Sequence, residues 1–131
     1  MKLKLLLSAW MFLLATANLS AQNAIDKAVE EYSSIGKSTF TSAVERDPQT
    51  RKVQKVVKVL EPTDMTIGRL RRAFLEEQNS GQFNVVTNDE EETMMLTVDN
   101  SKEVRIYQLI YKGKRASYRD GKLTVIIKYK N

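Results

Sequence analysis

The stretch RKVQKVVKVL at residues 51–60 sets four basic side chains among four valines and a leucine. With a helical period, Val53, Val56, Val57 and Leu60 fall at i, i+3, i+4 and i+7, the pattern of a basic amphipathic helix that meets a nucleic acid or a membrane. With a period of two, Val53, Val57 and Val59 share one face interrupted by Lys55, and Lys52, Gln54 and Lys58 take the other. Two features favour the strand. Four β-branched valines lose side-chain freedom in a helix, and Pro62 disfavours helical backbone at Glu61. The lysines are then expected on a solvated strand face.

Upstream, residues 38–46 (STFTSAVER) are a second β-rich run, separated from the first by Asp47-Pro48-Gln49-Thr50. Pro48 presets the φ of a turn's second position, and Asp47 can accept from the backbone ahead of it. The two runs predict a β-hairpin.

Two helices flank that hairpin. NAIDKAVEEYSSIG (residues 23–36) puts Ile25, Ala28, Val29, Tyr32 and Ile35 on one stripe, with Asn23 as the N-cap and Gly36 as the C-cap. TDMTIGRLRRAFLEEQNSG (63–81) is capped by Thr63 or Asp64, carries Ile67, Leu70, Arg71 and Phe74 along one side, and ends before Gly81. Four further strands follow: QFNVVT, ETMMLTVD, EVRIYQLIYKG with a bulge near Gln108, and KLTVIIKYK after a loop ending in Asp120-Gly121. The order α-β-β-α-β-β-β-β predicts an α+β domain in which an antiparallel sheet of about six strands carries both helices on one face.

The first 21 residues begin with Lys2 and Lys4, run apolar from Leu5 to about Ala17 and end in small residues, the layout of a secretory signal peptide. The apolar run falls short of the ~20 residues of a spanning helix. Cleavage after Ala21 is preferred to cleavage after Ala17 and leaves one domain over residues 22–131. No membrane span then remains. Loss of Lys2 and Lys4 lowers the net charge from +5 to +3. The chain has no cysteine, so neither disulfides nor a thiol-linked lipid is available. That combination points to a bacterial periplasm or exterior, and export removes chromosomal nucleic acid as a partner.

Histidine is absent as well. The commonest general base, the commonest zinc ligands and thiol nucleophiles are therefore excluded. Ser33, Ser34, Ser38 and Ser42 lie in no nucleophile motif. No catalytic residue, metal ligand set or cofactor site is assigned. Asp89-Glu90-Glu91-Glu92 lacks the spacing and central glycine of an EF-hand loop and reads as a charged turn. Arg69, Arg71 and Arg72 oppose the dipole at the start of a helix, which a bound anion or neighbouring acids would offset. Their plain reading is a solvated face.

Residues 112–131 hold seven basic side chains against Asp120 alone. Within them, Lys112, Lys114, Arg115, Tyr118 and Arg119 combine charge with an aromatic ring in a loop, and are the candidate binding residues. Arg105, Tyr107 and Tyr111 precede them on a strand, where tyrosines belong more often to the sheet than to a site. The function expected is a noncatalytic binding module of the cell envelope, a monomer or weak homodimer, with an envelope protein or an anionic glycan as partner. The alternative is a hydrolase that uses only carboxylates, with Glu90, Glu91 and Glu92 as its candidates.

Across residues 24–61, and most specifically from Ser38 to Leu60, the chain resembles an uncharacterised family of small exported proteins of Bacteroides-type bacteria, in which a similar helix precedes a similar ERDPQTRKVQKVVKVL hairpin. The likeness extends to LTVIIKYK near the end of the chain. It implies export and a single folded unit, and assigns no catalytic residue.

Overall fold

The computed structural model describes residues 23–115 and 117–130. The expected signal peptide, residues 1–21, lies outside them. Helix α1 (Ala24–Ser33) is followed by β1 (Thr39–Arg46) and β2 (Val53–Glu61), a 3-10 turn (Asp64–Thr66), helix α2 (Ile67–Glu76), and β3 (Gln82–Asn88), β4 (Glu91–Asp99), β5 (Glu103–Lys112) and β6 (Arg119–Tyr129). The six strands form one antiparallel sheet in the order β1-β2-β6-β5-β4-β3. This is the α+β architecture and element order expected.

Of the stretch 51–60, Val53 onward is strand, while Arg51, at φ 64°, and Lys52 finish the turn. The strand pairs with β1 from Thr39 opposite Glu61 to Val44 opposite Val56. Asp47 closes the turn by accepting from the amides of Gln49 at 2.8 Å and Thr50 at 2.9 Å. Those bonds hold the Asp47 carboxyl below its usual range, the Thr50 amide contributing most. The expected solvated lysine face needs correction. Lys55 and Lys58 differ by an odd number of residues and so point to opposite sides of the sheet, and the same alternation carries Leu60 into the core.

From β2 the chain enters α2, which carries it to β3 at the opposite edge of the sheet. The meander β3-β4-β5-β6 then returns, and β6 docks on β2, with Leu60 opposite Leu123 and Val56 opposite Ile127. Helix α1 packs beside α2. Its start is fixed by a capping box in which the Asn23 side chain accepts from the Asp26 amide and Asp26 accepts from the Asn23 amide. The Glu77 carboxylate also accepts from the Ala24 amide at 3.1 Å, placing negative charge at the positive end of the α1 dipole.

The core joins Ile25, Val29 and Tyr32 of α1 and Ile67, Leu70 and Phe74 of α2 to Leu60, Met94, Leu96, Tyr107, Leu109, Tyr111, Leu123 and Val125 of the sheet. Register places all these strand residues on one side. Both helices therefore cover a single face.

Several expected boundaries shift. Helix α1 ends at Ser33 with Ser34 as its C-cap, so Ile35 is outside the helix and 39% exposed, and Gly36 is not the cap. A 3-10 turn separates the expected Thr63 or Asp64 cap from α2. No bulge occurs at Gln108, which pairs in register with Met95 and Thr124. The apparent slip there reflects apolar residues on both faces of β5. The irregularity lies instead between Ile110 and Lys112. Asp120 and Gly121 belong to β6, with Asp120 at φ 54°.

Candidate functional site

The five residues singled out in the sequence lie at the β5–β6 end of the sheet, and the fold separates their roles. Lys112 closes β5 opposite Glu91 and Arg119. Lys114 and Arg115 are exposed at the turn. Gly113, at φ 93°, makes that turn possible: a β-carbon there would stand 2.3 Å from the Ser117 carbonyl oxygen. Arg119 pairs with Glu90 at 2.9 Å and lies 3.8 Å from the Asp120 carboxylate. Its charge is compensated locally. Tyr118 turns inward, half-buried, and its ring meets that of Tyr111 edge to face with centroids 5.0 Å apart.

Tyr118 joins the turn to α2. Its ring lies beside Gly68, where a β-carbon would be 3.7 Å away. Met65, Gly68, Arg69, Arg71, Arg72, Leu75 and Tyr118 line an open hollow of about 340 Å³. Three arginines therefore meet the aromatic residue of the predicted loop, and this lining holds no carboxylate. The plain reading of Arg69, Arg71 and Arg72 as a uniform solvated face does not hold, because one helical turn splits them.

Arg71 points under the helix. Its Nε donates to the Tyr111 hydroxyl at 2.9 Å and to Glu92 at 3.4 Å, and the Tyr111 hydroxyl donates to the same Glu92 oxygen. Burial opposes the Arg71 charge, yet the Tyr111 hydroxyl and Glu92 raise its pKa overall. Burial first, then the Glu92 carboxylate, pushes the Tyr111 phenol well above its usual value. Arg69 lies near Tyr32 and Glu31, whose influence raises its pKa. Arg69 and Arg72 stand between this hollow and a second one of about 500 Å³ along the α1–α2 groove, which includes Glu31 and Glu76. Neither arginine forms an ion pair with another described residue.

Tyr107 and Tyr111 are core residues, 0% and 1% exposed. Arg105 is bound by Asp26 at 3.0 Å and by Glu103. These three therefore serve the sheet–helix interface. The carboxylates of the alternative enzyme reading diverge: Glu92 faces the helices, whereas Glu90 and Glu91 border a shallow hollow with Asn88, Asp89 and Lys112. Among the described residues, no group of three or more acidic side chains is placed to hold a metal ion.

The sequence alone did not connect the arginines of α2 with Tyr118, 46 positions and more away along the chain. The usable signal was Gly68 at the start of a helix, a small residue that leaves room for a ring. In comparisons with protein-family models, curated proteins and solved structures, the chain matches none of them.

Proposed function

We propose that this domain is a noncatalytic binding module of the cell envelope that takes an anionic glycan in the hollow between α2 and Tyr118. The observation that carries the reading is a lining of three arginines, one aromatic ring and no carboxylate. Arg71 is committed to Glu92 and Tyr111, and so acts as a fixed wall. Arg72, and Arg69 beside Tyr32 and Glu31, form no ion pair with another described residue and meet sulfate or uronate groups, for which planar guanidinium groups offer paired donors. The Tyr118 ring supplies an apolar face for a sugar ring. Lys114 and Arg115 extend the positive field beyond the hollow, while Arg119 is held by Glu90 and contributes less, and Lys112 lies opposite Glu91 on the neighbouring strand.

Export fits this reading: removal of residues 1–21 delivers a domain starting at Gln22 to the periplasm or exterior, where such glycans are met. The intact mass of the exported species tests that step. A mass that retains residues 1–21 refutes it.

Calorimetric titration with sulfated and uronate-bearing oligosaccharides, against neutral ones, tests the binding. The anionic ligands bind, and affinity falls as salt rises because charges are screened beyond about 8 Å at physiological ionic strength. Replacing Arg69 and Arg72 together by alanine weakens binding at least tenfold, and replacing Lys114 and Arg115 weakens it less. No binding by any anionic oligosaccharide, or equal binding by the Arg69/Arg72 variant, overturns the proposal. If capture from envelope extract instead yields an acidic protein whose binding depends on these arginines, the partner class changes.

A further inference from the structure

The sheet face turned away from the helices carries a band of apolar residues, interrupted near its middle by the Thr124–Gln108 pair. Val57 pairs with Ile126, Ile126 with Ile106, and Val104 and Ile110 continue the β5 row. These residues and Val59 are partly covered by neighbouring strands alone, and Met95 beside them is 37% exposed. Every residue that the helices bury lies on the other side. A sheet with one covered face normally alternates apolar and polar residues, whereas strands covered on both sides read as continuous apolar runs. On this face β2 presents Val57 and Val59 next to Lys55, and β5 presents Val104, Ile106 and Ile110, interrupted by Gln108, so both carry more apolar residues outward than a solvated face needs.

We propose that a second copy of this chain covers the face, the two sheets packing into a sandwich. Area supports this occupant. Six strands at ~4.8 Å spacing span about 24 Å, and Val104 to Ile110 spans about 20 Å, so each copy offers about 500 Å² before the relief of its side chains. Two such faces remove about 1,000 Å² or more from water, which reaches the range of specific interfaces.

Charge supports it too. Aligned sheets pack with their strands within about 30° of one another. A two-fold axis along the strands, between β5 and β6, sets β6 over β5 and β2 over β4 of the other copy. Taking levels from the pairing of Lys55 with Lys128, Lys128 with Val104 and Val104 with Asp99, Lys55 then meets Asp99 of the other copy, whose carboxylate also holds Lys130 of its own chain at 2.6 Å. At the next level Ile126 meets Ile106, and at the next Val59 meets Met95 while Thr124 meets Gln108. In the four levels from Lys55 to Glu61 no like charges coincide. The face is self-complementary, as a closed two-fold dimer requires.

Sedimentation equilibrium of the purified chain across micromolar concentrations gives a reversible dimer, and Ile106→Asp weakens it at least tenfold. Because that variant could also weaken the fold, two measurements use the unaltered chain. Methyl signals of Ile106, Ile126 and Val57 are protected from a soluble paramagnetic agent at high protein concentration and lose that protection on dilution. Zero-length amine-to-carboxylate coupling joins Lys55 to Asp99 between copies, detected with mixed isotope labels. Within one chain these residues are separated by three strand spacings, about 14 Å, too far for that bond. A monomer at every concentration, a dimer whose open-face methyls stay accessible, or a folded Ile106→Asp variant that dimerises as before overturns the proposal.

Discussion

The Tyr107 hydroxyl donates to both carboxylate oxygens of Asp26, at 3.2 and 3.1 Å, across 81 positions of sequence. The same carboxylate accepts from Arg105 at 3.0 Å and from the Asn23 amide at 3.3 Å. One side chain thus caps α1 and anchors it to the middle of the sheet. Asp26→Ala is expected to cost about 2–3 kcal/mol, since it removes a cap and leaves a largely buried guanidinium and a phenol without their shared acceptor. Tyr107→Phe costs about 1 kcal/mol, the worth of one hydrogen bond. Denaturant unfolding of both variants and of the double variant measures this, and strict additivity would contradict a shared network.

Tyr107 is pushed up to about 12, by burial first and then by Asp26, against the opposing pull of Arg105. The folded protein therefore holds this proton more tightly than the unfolded chain, whose tyrosines ionise near 10. The linked stabilisation, roughly 2–3 kcal/mol, is fully present below about pH 10 and is lost as pH rises towards 12. Tyr111 acts in the same direction. An alkaline absorbance titration followed with circular dichroism should show late tyrosine ionisation coinciding with unfolding. Tyr107→Phe should remove part of the late signal, and a titration unchanged by that substitution would count against the assignment.

Gly113 stands at φ 93°, and an added β-carbon meets the Ser117 carbonyl carbon at 3.1 Å as well as its oxygen. Gly113→Ala is expected to cost about 2 kcal/mol and to lower the melting temperature by on the order of 10 °C. The tyrosine near-ultraviolet signal should change with it, because Tyr118 loses its fixed approach to Tyr111. A variant with unaltered melting and spectrum would show that the turn tolerates a side chain.

Edges and centre should differ in amide exchange. β5 and β6 have partners on both sides, whereas β1 and β3 border the sheet with one partner each. Amides of β5 and β6 are expected to exchange only through global unfolding, and those of β1 and β3 through local opening at much lower free energy. Uniform protection across the sheet would mean that something pairs with the edges.

The order of elements, the two amphipathic helices and the antiparallel class were legible in the chain, because each rests on local physics: period 3.6 at Ile25–Tyr32, β-branched runs at 51–60 and 122–130, and the turn chemistry of Asp47-Pro48. The 51–60 stretch was the hardest of these, since its helical stripe is real. What decided it is the pairing of Leu60 with Phe40 and Leu123, which a strand can satisfy on both sides.

Of the candidate site, the basic, tyrosine-bearing turn was visible as composition, but its assembly was not. Tyr118 meets Gly68 and the α2 arginines only because α2 crosses the sheet and β6 returns to its centre. Ion pairing likewise commits Arg119, one of the candidate binding residues, to Glu90, while Arg105 and Tyr107 of the preceding strand become partners of Asp26 and Glu103. Local propensity and periodicity act over a few residues and are written in the chain. The meeting of charges and rings 20 to 80 positions apart depends on which face each strand turns to its neighbours, and that was decided by the tertiary structure.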